Sequence, residues 1–94
     1  MMGLRVSGAA AARMLLPYGE VLGCDLGSPR EAAGLAEAGV EVELASDGLD
    51  LVGRAATVVK SPGVPAHAPA VAAAHARGIE VVGELEIAWR LIEA

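Results

Sequence analysis

The sequence predicts an α/β fold in which an open, mostly parallel sheet of four to five strands carries helices on both faces. Two observations support this prediction. Short apolar runs rich in valine alternate with alanine-rich segments, and the strand-then-helix order recurs five times. The connections are short and are marked by glycine, proline or serine, so right-handed crossovers are expected. Such an arrangement is Rossmann-like, and its common strand order is 3-2-1-4-5.

The chain opens with a short strand, a helix and a second strand that ends in a carboxylate. Residues 2–6 are predicted to form a shortened first strand. Ser7 is suited to cap the alanine-rich helix predicted over residues 8–16, since alanine has the highest helix propensity. Residues 20–24 form the second predicted strand, and Asp25 follows directly at its carboxyl end.

The next helix has the clearest start and stop signals in the first half of the chain. Ser28 is suited to be its N-cap, Pro29 its first residue, and the Glu31 side chain can reach back to the Ser28 N–H. Gly39 is placed to end this helix in a left-handed conformation. Apolar and acidic residues alternate over residues 40–44, which predicts a strand at the edge of the sheet with one solvent-exposed face.

The second half of the chain is predicted to contain two more strands and two helices. Residues 46–53 are polar, and we expect a short helix or turn there. Residues 56–59, which are apolar except for Thr57, predict a central strand, and residues 69–77 predict an alanine-rich helix that a glycine closes. The last strand is predicted over residues 79–82, followed by an amphipathic helix over residues 84–92.

Three stretches fall at one edge of the predicted sheet, beyond the carboxyl ends of its strands, where open α/β sheets bind ligands. Backbone N–H groups at the start of the first helix can hold a phosphate, and a carboxylate can accept a hydrogen bond from a hydroxyl or an imide N–H. A Ser-Pro-Gly turn after the central strand lets a ligand approach closely at its glycine. The candidate residues from this argument are Ser7, Gly8, Asp25, Ser61, Pro62 and Gly63.

Each of these stretches also has a purely structural explanation. Ser7 can serve only as a helix cap, and Asp25 can be a solvated turn residue at the end of a strand. The Ser61 turn needs no ligand to exist. Local sequence alone leaves both explanations open at all three stretches.

Other residues that could carry chemistry are expected to be structural. Cys24 is predicted to be a small core residue, since no histidine is placed by sequence to activate it. His67 and His75 have no second histidine or cysteine at ligand spacing, so no metal site is predicted. Trp89 is expected to pack the last helix on the sheet. The sequence contains no Gly-x-x-x-x-Gly-Lys-Ser/Thr phosphate loop, so ATP binding by this chain is not expected.

Composition restricts the class of partner. The 94 residues suffice for one domain, which we predict to span residues 1–94. A formal net charge of −5 argues against nucleic acid and anionic membranes as general partners. A single cysteine cannot form an internal disulfide, and there is no signal peptide or apolar run of membrane length. We therefore expect a cytoplasmic protein without membrane insertion.

The segment over residues 58–89 resembles a known family. It carries Val-Lys-Ser-Pro-Gly-Val-Pro at 59–65, an Arg-Gly-Ile helix end at 77–79 and Val-Gly-Glu-Leu-Glu at 82–86. These motifs resemble the N-terminal, UDP-binding domain of the Mur ligases. The Ser-Pro-Gly turn and the Gly-Glu-Leu-Glu helix start favour the D-glutamate-adding branch of that family. The resemblance covers nearly the whole chain and is weaker before Asp25.

The resemblance implies a role in peptidoglycan biosynthesis, in which this domain binds the UDP moiety of UDP-N-acetylmuramoyl-L-alanine. It also implies that the ATP site, the Mg²⁺ ligands and the catalytic chemistry belong to central and C-terminal domains outside this chain. The 94-residue chain should then be inactive by itself. The residues that match the family's substrate contacts are Val6 and Ser7 in the first loop, Asp25, and Ser61, Pro62 and Gly63.

The first loop departs from the family's usual Gly-x-Gly-x-x-Gly pattern. Gly3 and Gly8 keep the outer glycines, but Arg5 stands at the middle glycine. Its side chain can obstruct a close backbone approach, or its charge can meet a diphosphate. The residues after Asp25 also lack the polar pair often found in the family.

The sequence is also compatible with two other functions. One is an independent Rossmann-type dinucleotide-binding or regulatory domain, since an acidic residue such as Asp25 can hold a ribose. The other is a scaffold or interaction module without a ligand. Titration with UDP and with NAD distinguishes the dinucleotide-binding hypothesis from the Mur ligase hypothesis.

Overall fold

Within residues 1–93, which the computed structural model describes, there are four short strands and four α-helices. The strands are β1 (Leu22–Asp25), β2 (Glu41–Leu44), β3 (Thr57–Lys60) and β4 (Glu80–Gly83). The helices are α1 (Val6–Leu15), α2 (Ala32–Ala38), α3 (Pro69–Ala76) and α4 (Glu84–Glu93). Two 3₁₀ helices, Leu16–Tyr18 and Leu49–Arg54, complete the regular structure. Of the helices described, none is long and apolar enough to span a bilayer.

The strands pair in parallel, as predicted, but in two separate pairs. β1 pairs with β2, and β3 pairs with β4. The α/β class is therefore confirmed, while the strand pairing gives two two-stranded sheets and not one sheet of four to five strands. The predicted first strand over residues 2–6 is reduced to one bridging residue, Met2, because the chain turns away directly after it.

Met2 connects the two strand pairs through backbone hydrogen bonds. It forms one parallel bridge with Cys24 of β1 and another with Lys60 of β3. Its N–H donates to the carbonyl oxygen of Val59 at 2.7 Å, and its carbonyl oxygen accepts the N–H of Ser61 at 3.0 Å. One residue therefore joins the two halves of the chain.

The neighbours of Met2 complete the contact with β1. Cys24 N–H donates to the carbonyl oxygen of Met1 at 3.0 Å, and Gly3 N–H donates to the carbonyl oxygen of Cys24 at 2.8 Å. The amino group of Met1 donates to the carbonyl oxygen of Leu22 at 2.6 Å. Burial lowers the pKa of this amino group below its ordinary value, although the nearby Cys24 opposes the shift.

Helix α1 begins earlier than the sequence predicts. Its first residue is Val6 and its N-cap is Arg5, so the prediction that Ser7 caps the helix is wrong. The physical reason lies just upstream. Gly3 has a φ of 92°, which turns the chain immediately after the bridging residue and leaves no room for a longer strand.

Helix α2 begins later than the sequence predicts. It starts at Ala32 with Glu31 as its N-cap and no side-chain capping bond, so the predicted capping box at Ser28 is wrong. Ala32 N–H donates to the carbonyl oxygen of Pro29 at 3.1 Å, which closes a turn before the helix. The predicted helix end at Gly39 is confirmed, with a left-handed φ of 111°.

Two apolar clusters form the core. One joins Met2 to β1, β3, the second 3₁₀ helix and α3, and contains Met2, Cys24, Val52, Val58, Ala70, Val71 and Ala74. The other joins α1 and α2 to the residues that directly precede β1 and β2, and contains Leu4, Ala9, Ala12, Val21, Leu35 and Val40. Cys24 belongs to the first cluster, whereas Gly23 lies against Leu4 of the second. Successive strand residues point to opposite faces, so the clusters lie on opposite faces of β1.

Helix α4 packs through a narrow face that does not include its tryptophan. Ile87 and Leu91 are half-buried, but 64% of Trp89 is exposed, so its predicted packing on the sheet is wrong. Trp89 lies on another side of the helix, where Leu85 and Ile92 are also exposed. The spacing of these three residues places them on one helical stripe.

The buried amino group of Met1 predicts a stability that rises with pH. Because its pKa is lowered in the folded protein, the unfolded chain binds more protons than the folded chain between that lowered pKa and 8.0. The contribution of this group to the free energy of unfolding should increase with pH across this window and level off above it. NMR titration of the ¹⁵N-labelled amino group measures the pKa directly. A folded-state pKa of 8.0 or higher would contradict the prediction.

Candidate functional site

The carboxyl ends of β1 and β3 and the loop that leads into α1 meet at one edge of the strands. The Leu4 N–H donates to Oδ2 of Asp25 at 2.8 Å, which ties the loop to β1. On the other side, Gly3 lies against Ser61, since a Cβ on Gly3 would stand 2.8 Å from the Ser61 Cβ. The structure therefore brings together the three stretches that the sequence predicts to share an edge.

Asp25 is half-buried at the end of β1 and fixes two loops with its carboxylate. Oδ2 accepts the Leu4 N–H, and Oδ1 accepts the Gly27 N–H at 2.8 Å. The carbonyl oxygen of Asp25 accepts the Ser46 N–H at 3.0 Å. An ionised carboxylate offers about four acceptor sites, so about two stay available to a hydroxyl or imide N–H. Asp25 has a structural role in this geometry, and its ligand role stays a prediction.

The N-terminus of α1 lies at the same edge without a side-chain cap. Its first backbone hydrogen bond joins the Ala9 N–H to the Arg5 carbonyl oxygen at 2.7 Å, so the N–H groups of Val6, Ser7 and Gly8 precede it. Val6 and Ser7 are exposed, whereas Gly8 is buried. The first turn carries no acidic residue, and Arg5 is exposed. These features give a helix end with positive character, which suits an anion.

Gly3 and Gly8 are required by the geometry of the loop itself. The positive φ of Gly3 is a conformation that a side chain would strain. A Cβ on Gly8 would overlap the carbonyl oxygen of Gly3. The first turn of α1 therefore packs directly on the loop backbone, and both glycines have a structural reason that is independent of any ligand.

The turn after β3 is formed as predicted. Val64 N–H donates to the carbonyl oxygen of Ser61 at 2.9 Å, and the Lys60 ammonium donates to the Val64 carbonyl oxygen at 3.2 Å. Ser61 is half-buried, whereas Pro62 and Gly63 are exposed. A Cβ on Gly63 would meet nothing within 4 Å, and its φ is not positive. No contact within the protein therefore requires glycine at Gly63.

Two residues near this edge were missed by the sequence analysis. The Leu4 contact uses a backbone N–H, for which a sequence carries no signal. Gly48 has a φ of 75°, and a Cβ there would stand 2.5 Å from the Cys24 Sγ. The signal available was the Asp47-Gly48 pair, which is typical of a turn with positive φ.

The Cys24 thiol is enclosed and is held in its neutral form. Burial raises its pKa, nearby carboxylates add to the rise, and the Met1 amino group opposes it. A neutral thiol is a poor nucleophile. The prediction that Cys24 is a small core residue is confirmed by its burial.

The site residues form an open edge and do not line either of the following two cavities of the described residues. A cavity of about 370 Å³ lies toward the amino ends of the strands, and its lining contains none of the predicted site residues. A groove of about 450 Å³ beside α2 and β2 also contains none of them. A ligand at the candidate edge would therefore be held by backbone N–H groups and a few polar side chains, not by enclosure.

The donors at this edge suit phosphate and hydroxyl groups better than a metal ion. Within residues 1–93, no three His, Cys, Asp or Glu side chains are arranged to hold a metal. His67 and His75 are both exposed. What the edge offers is a set of helix N–H groups, one carboxylate and the hydroxyls of Ser7 and Ser61, with an arginine close by.

Comparison with protein-family models gives a match over residues 1–83 to the Mur ligase MurD-like, N-terminal domain. The chain belongs to this family. The match takes in the loop before α1, Asp25 and the Ser61 turn of this MurD-like domain. The resemblance drawn from the sequence is thereby confirmed.

Relatives of this MurD-like domain are much longer proteins. A UDP-N-acetylmuramoylalanine--D-glutamate ligase of Frankia casuarinae is 49% identical over 96 residues, which cover 96% of this chain and 20% of the relative. Ligases of the same name from Streptococcus pneumoniae (strain Hungary19A-6) and Streptococcus mutans serotype c are 36% and 37% identical over 99 residues. Those alignments cover all of this chain and 22% of each relative. The chain therefore spans about a fifth of their length.

Gly8→Ala should destabilise this MurD-like domain because the new methyl group would overlap backbone in the preceding loop. We expect a loss of about 1–3 kcal/mol in the free energy of unfolding, measured by urea denaturation. Gly34→Ala is the matched control. Its methyl group would meet only the end of the Arg13 side chain, and alanine favours the helix by about 1 kcal/mol. Equal urea midpoints for the two variants would show that the loop does not restrict Gly8.

Proposed function

We propose that this chain is the substrate-binding N-terminal domain of a D-glutamate-adding ligase of peptidoglycan biosynthesis. In this proposal it holds the UDP moiety of UDP-N-acetylmuramoyl-L-alanine at the edge formed by α1, Asp25 and the Ser61 turn. The observation that carries the proposal is the uncapped N-terminus of α1 beside a strand-end carboxylate. Family membership and the names of the relatives support the substrate class.

The diphosphate is assigned to the N-terminus of α1. The N–H groups of Val6, Ser7 and Gly8 precede the first helical hydrogen bond, and their partial charges favour an anion. The guanidinium of Arg5 is exposed at the N-cap position, so its charge can reach a bound diphosphate. This explains how a chain with a net charge of −5 could bind a phosphorylated ligand without a basic patch.

The nucleoside is assigned to the space between Asp25 and the Ser61 turn. Asp25 keeps free acceptor capacity after its two bonds to backbone N–H groups, so it suits a ribose hydroxyl or the uracil imide N–H. Ser61 offers a half-buried hydroxyl on the other side. Pro62 and Gly63 are exposed and would form a wall of the site against the ligand.

We also propose that the two strand pairs act as one Rossmann-like sheet in the order β2-β1-Met2-β3-β4. The backbone bonds of Met2 to the β3 segment, and of its neighbours Met1 and Gly3 to β1, support this hypothesis. In that order Met2 lies at the topological switch point, with β1 and β2 on one side of it and β3 and β4 on the other. Ligands of open α/β sheets bind outside such a point, which is where the candidate edge lies.

Ligation is assigned to parts of the longer ligases that this chain does not cover. ATP and Mg²⁺ would be bound there, and the chain alone would neither hydrolyse ATP nor join D-glutamate. Its single-domain extent over residues 1–94 and its cytoplasmic location stay predictions. Ligation of D-glutamate by the purified chain would contradict this division.

A dinucleotide-binding domain is the second candidate, and the position of Asp25 favours it. A carboxylate at the end of β1, the strand that follows the first helix, can hold the ribose of a dinucleotide. The glycine pattern of the first loop argues against it, since Arg5 occupies the place of the middle glycine. Calorimetric titration with UDP and with NAD separates the two, because tighter binding of NAD would favour the second candidate.

Gly63→Val should weaken UDP binding while leaving the fold intact. The valine Cβ would stand in open space, and the residue does not need a positive φ, so the thermal midpoint should stay unchanged. We expect at least a tenfold loss of UDP affinity, about 1.4 kcal/mol, because the side chain would project into space assigned to the ligand. Calorimetry measures the affinity, and thermal melts measure the fold.

The matched control is Gly53→Val, near the carboxyl end of the second 3₁₀ helix. A Cβ there would meet only the flexible end of the Arg77 side chain, 2.9 Å away. UDP affinity should be unchanged in this variant. Equal affinity of the folded Gly63 variant and the control would place the UDP site elsewhere.

A further inference from the structure

Strand β2 has a free outer edge. Within the described residues it pairs with β1 alone. The Glu41 N–H donates to the carbonyl oxygen of Val21 at 3.0 Å, so the backbone groups of Glu41 face β1. Because these groups alternate along a parallel ladder, the N–H and carbonyl groups of Val42 and Leu44 point away from β1. No other segment of the described chain bonds to them, so they are available to a further strand.

An open groove lies beside this free edge, between β2 and α2. Its volume is about 450 Å³, and Val42 and Leu44 form part of its lining. Alternate strand residues share a face, and Val42 packs against the apolar cluster that contains Leu35 of α2, so both side chains lie on the α2 side. The α2 part of the lining consists of small residues, Ala32, Ala33 and Ala36. The groove therefore has room for apolar side chains of a strand placed beside β2.

Arg30 lies at the end of the groove that is next to Leu44. The Ser46 N–H donates to the carbonyl oxygen of Asp25, so β1 and β2 end on the same side, and residues 28–30 lead from there into α2. Arg30 is the charged residue of the groove lining, and it is exposed. The ion pairs found among the described residues belong to two other arginines. An anionic group at this end of the groove would therefore meet a guanidinium that holds no other carboxylate.

The opposite face of β2 is acidic. Glu41 pairs with Arg54 at 2.6 Å, and Glu43 accepts the hydroxyl of Ser46. A strand beside β2 would place its intermediate residues next to these carboxylates, so polar or basic residues suit those positions.

A second copy of this chain fits the edge poorly. An antiparallel pairing of β2 with itself, with Val42 opposite Leu44, would set the two Glu43 carboxylates against each other. Like charges directly opposite on paired strands are destabilising. The formal net charge of −5 on each copy adds to the repulsion.

We propose that the outer edge of β2 and the adjoining groove bind an extended peptide whose C-terminal carboxylate lies at Arg30. The peptide runs parallel to β2, since its carboxyl end must reach the carboxyl end of that strand. Apolar residues occupy the positions beside Val42 and Leu44, and basic or polar residues alternate with them. The groove lining contains none of the residues assigned to UDP, so this proposal does not depend on the proposed function.

A peptide satisfies every feature of this surface, whereas a small apolar molecule would only fill the groove. The peptide backbone supplies partners for the N–H and carbonyl groups of Val42 and Leu44. Its alternate side chains enter the groove, and its terminal carboxylate forms a charge-assisted pair with the guanidinium of Arg30. A contact of this small size belongs to the weak, transient class of interface.

The test uses the peptide acetyl-Thr-Lys-Val-Lys-Val with a free carboxyl terminus and the ¹⁵N-labelled chain. NMR titration gives the affinity. With the peptide at about ten times its dissociation constant, hydrogen exchange of the Val42 and Leu44 amides should slow about tenfold. The matched control peptide, acetyl-Thr-Val-Lys-Val-Lys, reverses the alternation. It should bind at least about fivefold more weakly, since lysine would stand at the groove positions.

Arg30→Gln tests the contact with the carboxylate. It should weaken binding about tenfold, because a charge-assisted pair is lost. Arg77→Gln, which changes an exposed arginine outside the groove, should leave the affinity unchanged. Amidation of the peptide's carboxyl terminus should weaken binding to the unsubstituted chain by a similar factor, but should have little effect on binding to the Arg30 variant.

Several results would overturn the proposal. They are absence of binding, equal affinity for the two alternations, or unchanged exchange at Val42 and Leu44 in the saturated complex. An equal effect of amidation on the unsubstituted chain and on the Arg30 variant would overturn it as well. Protection of these amides that rises with protein concentration in the absence of peptide, together with a dimer in sedimentation, would assign the edge to a second copy instead.

Discussion

The architecture of this domain depends on the backbone hydrogen bonds of residues 1–3, with Met2 at their centre. The N–H and carbonyl oxygen of Met2 are bonded to β3, while the flanking carbonyl of Met1 and N–H of Gly3 are bonded to β1. Each bond contributes only about 0.5–1.5 kcal/mol net, but together they hold the two strand pairs in register. They join the α1-β1-α2-β2 half to the β3-α3-β4 half through the backbone, in addition to side-chain contacts such as the ion pair of Arg54 with Glu20.

The same bonds position the candidate site. Since Met2 is held between β1 and β3, the loop that follows it must emerge between Asp25 and Ser61. Gly3 then turns the chain, and Leu4 reaches Oδ2 of Asp25. The start of α1 therefore lies at this edge because of a backbone constraint. The backbone hydrogen bonds set the position of this edge, and the side chains there determine which groups it can bind.

The sequence predicted the elements well and their junctions poorly. Gly39 was predictable because a left-handed helix end favours one residue type, and the shared edge of Asp25 and Ser61 followed from parallel strands. Ser28 is a residue type that caps helices, but the chain first forms a turn closed by the Ala32 N–H and the Pro29 carbonyl oxygen, and the helix begins after it. A bridge made by a single residue has no periodicity to detect, so the role of Met2 could not be predicted.

The glycines at this edge show why a site on such a fold is hard to separate from its scaffold. Gly3 and Gly8 are fixed by contacts within the protein, so a glycine there says nothing about a ligand. Asp25 is likewise occupied by two backbone N–H groups, and its removal would disturb the loops before it disturbed any nucleotide. Gly63 differs, because neither its φ nor its surroundings require the absence of a side chain. Among these four residues, it is therefore the position where a change in binding can be assigned to the ligand itself.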